Sequence, residues 1–290
     1  MASVGLQKTV LITGGTDGLG KAAAILLAER GYRVVAAGRS EAKRTELDAY
    51  AKSKHLTLET VAMDVCSDES VAAAVNSVLG DFGAIDVLIN NAGVGYLAVV
   101  AEIRMGDFKQ QFETNLYGVL RVTQAVLPGM RERREGAILM ISSVAGLVTP
   151  PTYGAYSSSK HALEGLTNAL RLELFPFGIR VVLIEPGYIM TNFQQTVKEL
   201  ARPYAEGAGS SPYHEIYENA WKGANQSRSG SKTTAEDCAR VMLEAIESPH
   251  PRIRYGVTPL ATLAKWGKRL VSDEMLDRFL RRRYGVVRRS

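Results

Sequence analysis

Lys8-Thr9-Val10-Leu11-Ile12-Thr13-Gly14-Gly15-Thr16-Asp17-Gly18-Leu19-Gly20 is an apolar run that breaks into a glycine-rich turn. It leads into a helical stretch over residues 21–30, closed by Gly31. A short β-branched and aliphatic run bounded by glycine reads as a buried strand. Strand, glycine-rich turn and helix in that order form the context a nucleotide-binding loop needs. Gly14 allows the tight turn, Gly18 lets backbone approach a pyrophosphate, and Gly20 lets the helix pack close on its strand. The helix N-terminus then faces the phosphates. The glycines are spaced three residues and then one, unlike the one-then-two of G-x-G-x-x-G.

Working outward, strand-like and helical stretches alternate about six times without a linker between them. Strands are expected to begin near Lys8, Arg33, Leu56, Asp86, Gly136, Arg180 and Ile253. Such alternation gives an α/β fold, a parallel sheet covered on both faces by helices. The fifth run, Ala137-Ile138-Leu139-Met140-Ile141, ends at Ser142-Ser143. Ser143 thus falls at the carboxyl end of a strand, where open α/β sheets bind ligands. Seventeen residues later comes Lys160, and Tyr156 lies four before it. A Tyr and a Lys four apart share one helix face. A fixed positive charge beside a phenol favours the phenolate and brings the group towards the range where a general acid/base works best. Alone the spacing is common; its company gives it meaning.

The glycine turn, Asn90-Asn91-Ala92-Gly93 after the strand ending at Ile89, Asn115, Ser143, and Tyr156 with Lys160 stand in that order. Together they closely resemble the short-chain dehydrogenase/reductase family in its non-extended, oxidoreductase branch, over roughly residues 6–258. The resemblance implies a single Rossmann-type doubly wound sheet of about seven strands, order 3-2-1-4-5-6-7. It implies that Tyr156 is the proton donor or acceptor and that Lys160 lowers its pKa and bonds the nicotinamide ribose. Ser143 would bond the substrate oxygen, and Asn115, on a helix starting near Asp107, would hold a water of a proton relay. The family's spacing selects Ser143 over Ser142. The loop residues Thr16, Asp17 and Leu19 join Gly14, Gly18 and Gly20 in the nucleotide site. Asp64 would accept from the adenine amino group with Val65 packed beside it, and Asn91, Ala92 and Gly93 would line the ribose region. Pro186 and Gly187 would pack on the nicotinamide, and the Thr191 hydroxyl and Ile189 backbone would hold its carboxamide.

The second strand ends at Gly38-Arg39-Ser40. An NAD-binding fold usually has an acid at the place Gly38 holds, and the Arg39 guanidinium suits a phosphate. Within the family this arrangement implies NADP(H), with NAD(H) the alternative; Asp17 in the glycine turn pulls the other way.

Two cysteines, Cys66 and Cys238, and no apolar run of 18 residues point to a reducing, cytoplasmic setting without a membrane span. The four histidines are scattered without metal-ligand spacing. Of the net charge of +5, a surplus of +6 lies in residues 260–290, so the rest of the chain is near neutral and no nucleic-acid surface is expected. The expected division is a catalytic domain over 1–258 and a basic amphipathic extension over 259–290. Within the former, a lid over about 188–230 carries Tyr188, Phe193, Tyr204, Tyr213, Tyr217 and Trp221. Aromatic lining suits a bulky apolar carbonyl or alcohol, steroid-, retinoid- or lipid-like. The polar stretches 205–211 and 223–232 read as mobile loops. Leu263, Trp266, Leu270, Leu276, Phe279 and Leu280 recur at helical spacing. The expectation is that this face is buried on the protein, with 276–284 ordered and 286–290 mobile; the alternative is peripheral contact with an anionic membrane. The extension resembles that of hydroxysteroid and retinol dehydrogenases. The family makes a homodimer or homotetramer the default. A nucleotide-binding redox sensor without chemistry and a membrane-surface interaction protein are the competing functions.

Overall fold

A computed structural model describes residues 7–230 and 232–286 of the chain. Seven parallel strands form one sheet: β1 Thr9–Thr13, β2 Arg33–Gly38, β3 Leu58–Ala62, β4 Val87–Asn90, β5 Gly136–Ile141, β6 Ile179–Glu185 and β7 Arg254–Gly256. Their order is β3-β2-β1-β4-β5-β6-β7, as the resemblance implied. The strand starts agree with the sequence reading to within two residues, the usual uncertainty of element ends.

The apolar strands are continuous because both sheet faces are covered. Val10, Ile12, Val34, Ala36 and Leu139 point to one core, shared with α1 (Gly18–Glu29), α2 (Glu41–Ser53) and α9 (Ala235–Glu247). Leu11, Val35, Ala37, Ile138 and Met140 point to the other, shared with α3 (Asp68–Phe82), α5 (Gly118–Arg133) and α6 (Gly154–Leu174). Each fully buried Val, Leu, Ile or Met among them contributes about 1.5–3 kcal/mol. Strand order reverses between β1 and β4. Their carboxyl ends therefore open a crevice, the switch point at which such sheets bind ligands.

Helix α4 (Met105–Phe112) starts two residues before the expected Asp107 and runs into a π turn, Glu113–Tyr117, before α5. Between β6 and α9 the chain forms α7 (Phe193–Glu206) and α8 (His214–Gly230). Two expected loops are therefore corrected. Residues 205–211 hold the end of α7 and a 3-10 turn, Ala208–Ser210, and the backbone from 223 to 230 continues α8. Extending a formed helix costs far less than starting one, so the polar residues after Trp221 follow turns already anchored by Tyr217.

The tail forms α10 (Pro259–Leu270) and α11 (Asp273–Arg283). Residues 276–283 are helical and Tyr284 caps them, as expected; Val286, expected to be mobile, donates its N–H to Arg281 O at 2.9 Å, and 287–290 lie outside the described residues. The expected burial of the apolar face is corrected in part: Leu263 is 68%, Leu270 80% and Phe279 61% exposed, Leu276 and Leu280 are half-buried, and the Trp266 side chain lies outside what is described. The two helices border the cavity through Leu260, Leu263, Leu276, Phe279 and Leu280, while Ala261 is fully buried beside Gly256 of β7. No helix among the described residues is long and apolar enough to cross a membrane.

Candidate active site

One cavity of about 1580 Å³ runs from the glycine turn to the tail. Gly14 and Gly18 both have left-handed φ, +61° and +52°, which a side chain would strain. A Cβ on Gly20 would stand 2.3 Å from the Gly14 carbonyl oxygen, so glycine there is a requirement of packing. Asn91 clamps the turn from across the switch point, its Nδ2 donating to the carbonyls of Thr13 and Gly14 at 3.0 Å each. These features fit a dinucleotide: a bare backbone cradle at a helix N-terminus, continuous with a long cleft. Of the catalytic and cofactor-binding residues expected from the sequence, all but Gly20 and Asn115 line that cleft. Gly20 is sealed behind the Gly14 carbonyl. Asn115 is fully buried; its Oδ1 accepts from Val94 N at 2.9 Å, and its Nδ2 donates to Val94 O at 3.0 Å and Ser159 Oγ at 3.3 Å.

At the second strand the structure changes the reason for a glycine. A Cβ on Gly38 would meet Thr16 Oγ1 at 2.5 Å. Gly38 is thus dictated by the close passage of the turn, and an acid cannot be built there without displacing Thr16. Arg39 lies 3.9 Å from Asp64, with both side chains largely exposed. Asp17 caps α1, accepting from Gly18 N at 2.7 Å. It also pairs with Lys43 and accepts from Asn192 Nδ2 at 2.9 Å. Burial opposes its ionisation, but Lys43, the Gly18 N–H and Asn192 outweigh that and hold the carboxyl below its usual range. Lys43, which the sequence reading passed over, lines the cleft beside Arg39 and Ser40. Its signal was present: a lysine three residues after Ser40, the N-cap of α2.

Further along the cleft, Ser143 leaves the end of β5 and starts a 3-10 turn, Val144–Gly146, its Oγ accepting from Ala145 N at 3.1 Å. The Ser143 hydroxyl lies on the Tyr156 side of the cleft and favours ionisation of the phenol. Ser142 is buried, and its Oγ has no hydrogen-bond partner among the described residues. Tyr156 lies between Tyr153, at 6.5 Å between ring centroids, and Phe193, at 6.1 Å. Lys160 Nζ sits 5.8 Å from the centre of the Tyr156 ring and donates to Ile141 O at 2.8 Å. The expected lowering of the tyrosine is not what this arrangement gives. Burial pushes the Tyr156 phenol up to about 12, against the Ser143 hydroxyl, and pushes Lys160 down to about 8, against the attraction of Glu164. Desolvation dominates both groups, and the ammonium gives its hydrogen bond to the Ile141 carbonyl. His161 points back along α6 to Ser157 O, 2.9 Å away.

The carboxamide seat expected at Ile189 and Thr191 is engaged by a residue that no motif marked. Gln194 Nε2 donates to Ile189 O at 2.5 Å, and its Oε1 accepts from Thr191 N at 2.8 Å and Thr191 Oγ1 at 3.2 Å. The six lid aromatics divide. Tyr188, Phe193 and Trp221 line the cavity. Tyr204 and Tyr217 dock the lid helices, Tyr217 Oη accepting from Val99 N at 3.1 Å and donating to Glu102 at 3.0 Å. Tyr204 accepts from Arg104 N at 3.1 Å and bonds Asp107, and Tyr213 packs in the same small cluster. Among the described residues no three His, Cys, Asp or Glu side chains gather as metal ligands.

The family model for short chain dehydrogenases matches residues 8–201. Retinol dehydrogenase 8 of Bos taurus is 36% identical over 269 residues, 88% of this chain and 84% of its own. A short chain dehydrogenase/reductase of Burkholderia phymatum, solved in complex with NAD, superposes with a TM-score of 0.79 at 28% identity, covering 91% of this chain and 92% of that one. A gluconate 5-dehydrogenase of Burkholderia cenocepacia, solved with NADP and tartrate, gives a TM-score of 0.67 at 26% identity, covering 82% and 87%. The chain belongs to the short-chain dehydrogenases, oxidoreductases that work with a nicotinamide cofactor.

Proposed function

We propose that the protein is an NADP(H)-dependent reductase of a bulky apolar carbonyl compound, steroid-, retinoid- or lipid-like, with the alcohol as its product. The observation that carries this reading is the convergence of Ser143, Tyr156 and Lys160 in one cleft with the glycine turn. A bound nicotinamide supplies the hydride. The chain supplies the rest: Ser143 Oγ donates to the substrate oxygen, and Tyr156 Oη gives it the proton. Burial pushes the phenol up to about 12, so at neutral pH it holds the proton that carbonyl reduction requires. The Lys160 ammonium bonds the ribose, and the Asn115 turn supports a water on the route to solvent.

The cavity exceeds the roughly 300–1,000 Å³ of common small-molecule sites, leaving space beside a dinucleotide. Leu97, Val148, Tyr188, Val197, Leu260 and Phe279 give that space apolar walls. A panel of ketones, aldehydes, steroids and retinoids followed by NADPH absorbance tests the proposal. Turnover of large apolar carbonyls above small polar ones is the expected result, and no turnover of any carbonyl would leave the nucleotide-sensor reading instead.

Gln194 makes a second expectation. Its side-chain amide occupies donors and acceptors that a nicotinamide carboxamide would use, so it competes for them. Net hydrogen bonds are worth about 0.5–1.5 kcal/mol each; Gln194→Ala is therefore expected to tighten NADPH binding by up to roughly tenfold. Weaker binding, measured by fluorescence titration, would assign Gln194 to holding the cofactor.

The tail supports membrane contact as a second reading, since exposed Leu263, Leu270 and Phe279 share α10 and α11 with Arg278, Arg281 and Arg282. Removing everything after Thr258 should leave the melting temperature and the reduction of a small soluble ketone nearly unchanged. It should slow turnover of large substrates and abolish pelleting with anionic vesicles. A large fall in melting temperature would show instead that the tail is packed on the enzyme. Exposed Tyr117, Leu172 and Phe175 on the outer helices are the positions a homodimer or homotetramer would cover.

A further inference from the structure

Below the cleft, three charged side chains meet that no motif marked. Glu164, on α6 one turn after Lys160, is 6% exposed, and Glu185, the last residue of β6, is fully buried. Arg254 on β7 holds both: its Nη1 bonds Glu185 at 2.5 Å and also contacts Glu164, while its Nη2 reaches Asn168 Oδ1 at 3.4 Å. Two carboxylates and one guanidinium leave a formal charge of −1 in a region where uncompensated charge is costly. Lys160, 5% exposed, is bonded to a neutral carbonyl. Its ammonium makes the set of four neutral.

The triad also ties together the segments that build the site. Glu164 belongs to the helix of Tyr156 and Lys160. Its Cγ lies 3.2 Å from where a Cβ of Gly146 would stand, so only glycine lets the turn after Ser143 approach this closely. Glu185 immediately precedes Pro186 and Gly187. The Glu164 Oε1 is buried with no hydrogen-bond donor among the described residues, and its charge reaches Lys160 through space.

We propose that Glu164, held by Arg254, is a positioning residue that keeps Lys160 charged and in place beneath Tyr156. This rests on the reading of Tyr156 and Lys160 as the proton-handling and ribose-binding pair. Burial pushes Lys160 down to about 8, and Glu164 is the charge that pulls it back up. Among charged and titratable groups, Lys160 faces the Tyr156 ring at 5.8 Å and feels Glu164 on its own helix, while Glu185 on β6 and Arg254 on β7 reach it only through the triad. The β5 segment brings the Ile141 carbonyl, which does not titrate.

The experiment follows NADPH affinity by fluorescence, and carbonyl reduction, across pH 5.5–9.5 (an assay range of about four units). Wild-type affinity should fall as pH rises through about 8, where Lys160 loses its proton. In Glu164→Gln the fall should begin about one pH unit lower, the shift expected of one removed counter-charge, while affinity at the acid end stays near the wild type. A uniform loss with an unmoved midpoint would overturn the proposal, since it is the signature of a merely structural contact. Asn168→Asp tests the opposite sign and covers a Glu164→Gln protein that fails to fold. An added carboxylate beside Arg254 should move the midpoint up, and a midpoint unmoved or lowered overturns the proposal equally. A wild type that binds NADPH with these midpoints yet reduces no carbonyl would count against Tyr156 as the acid and leave the Glu164 shift standing.

Discussion

Tyr156→Phe is expected to bind NADPH nearly as the wild type does and to lose carbonyl reduction by about 10²–10⁴-fold, the range for a lost general acid. The ring stays wedged between Tyr153 and Phe193, so the substitution removes one hydroxyl and little packing. What disappears is the proton that burial retains on Oη. Ser143→Ala, which spares the proton but removes a donor to the substrate oxygen, should cost less. Steady-state kcat/KM on any accepted ketone decides the matter. Activity of the phenylalanine variant within a few-fold of wild type would sink the assignment.

The second large effect is on the choice of nucleotide. The wild type should prefer NADPH to NADH, and Arg39→Ala should erase roughly ten- to a hundredfold of that preference, because one charge-assisted pair is worth about 1.5–3 kcal/mol. Arg39 already faces Asp64 at 3.9 Å, but an exposed ion pair contributes only about 0–1 kcal/mol. A 2′-phosphate therefore displaces it. Lys43 adds to the effect in two ways, as a second cation at the cleft and as the partner that neutralises Asp17. The Arg39→Ala, Lys43→Ala double variant should fall below either single change. Equal kcat/KM for the two nucleotides in the unmodified protein would remove the role given to Arg39.

Much of the fold was legible in the sequence because short continuous apolar runs and glycine turns are local signals. The strand Thr9–Thr13, the turn at Gly14 and Gly18, and the helix after it can be read without any other part of the chain. Ser143 and the Tyr156–Lys160 spacing were legible for the same reason: a strand end and a helical turn place them. The lid and tail misled where polarity stood in for structure. The polar residues after Trp221 continue a helix whose anchor, Tyr217, bonds Val99 and Glu102 more than a hundred residues away in sequence. Likewise the apolar spacing of α10 and α11 gave two helices correctly and said nothing of what lies under them.

By itself the sequence determined the sheet, its order through the family resemblance, and which side chains reach the cleft, since these follow from local periodicity and from motifs fixed to strand ends. Only the tertiary structure decided the balance of charges there. Burial, which depends on every packed neighbour, moves Tyr156 up and Lys160 down, the reverse of what their spacing alone suggests. Gly38 answers to Thr16, Gln194 meets Ile189 and Thr191, and Arg254 joins Glu164 to Glu185. Each of these is a contact between segments brought together by the fold, and a contact of that kind leaves no periodic trace in either segment.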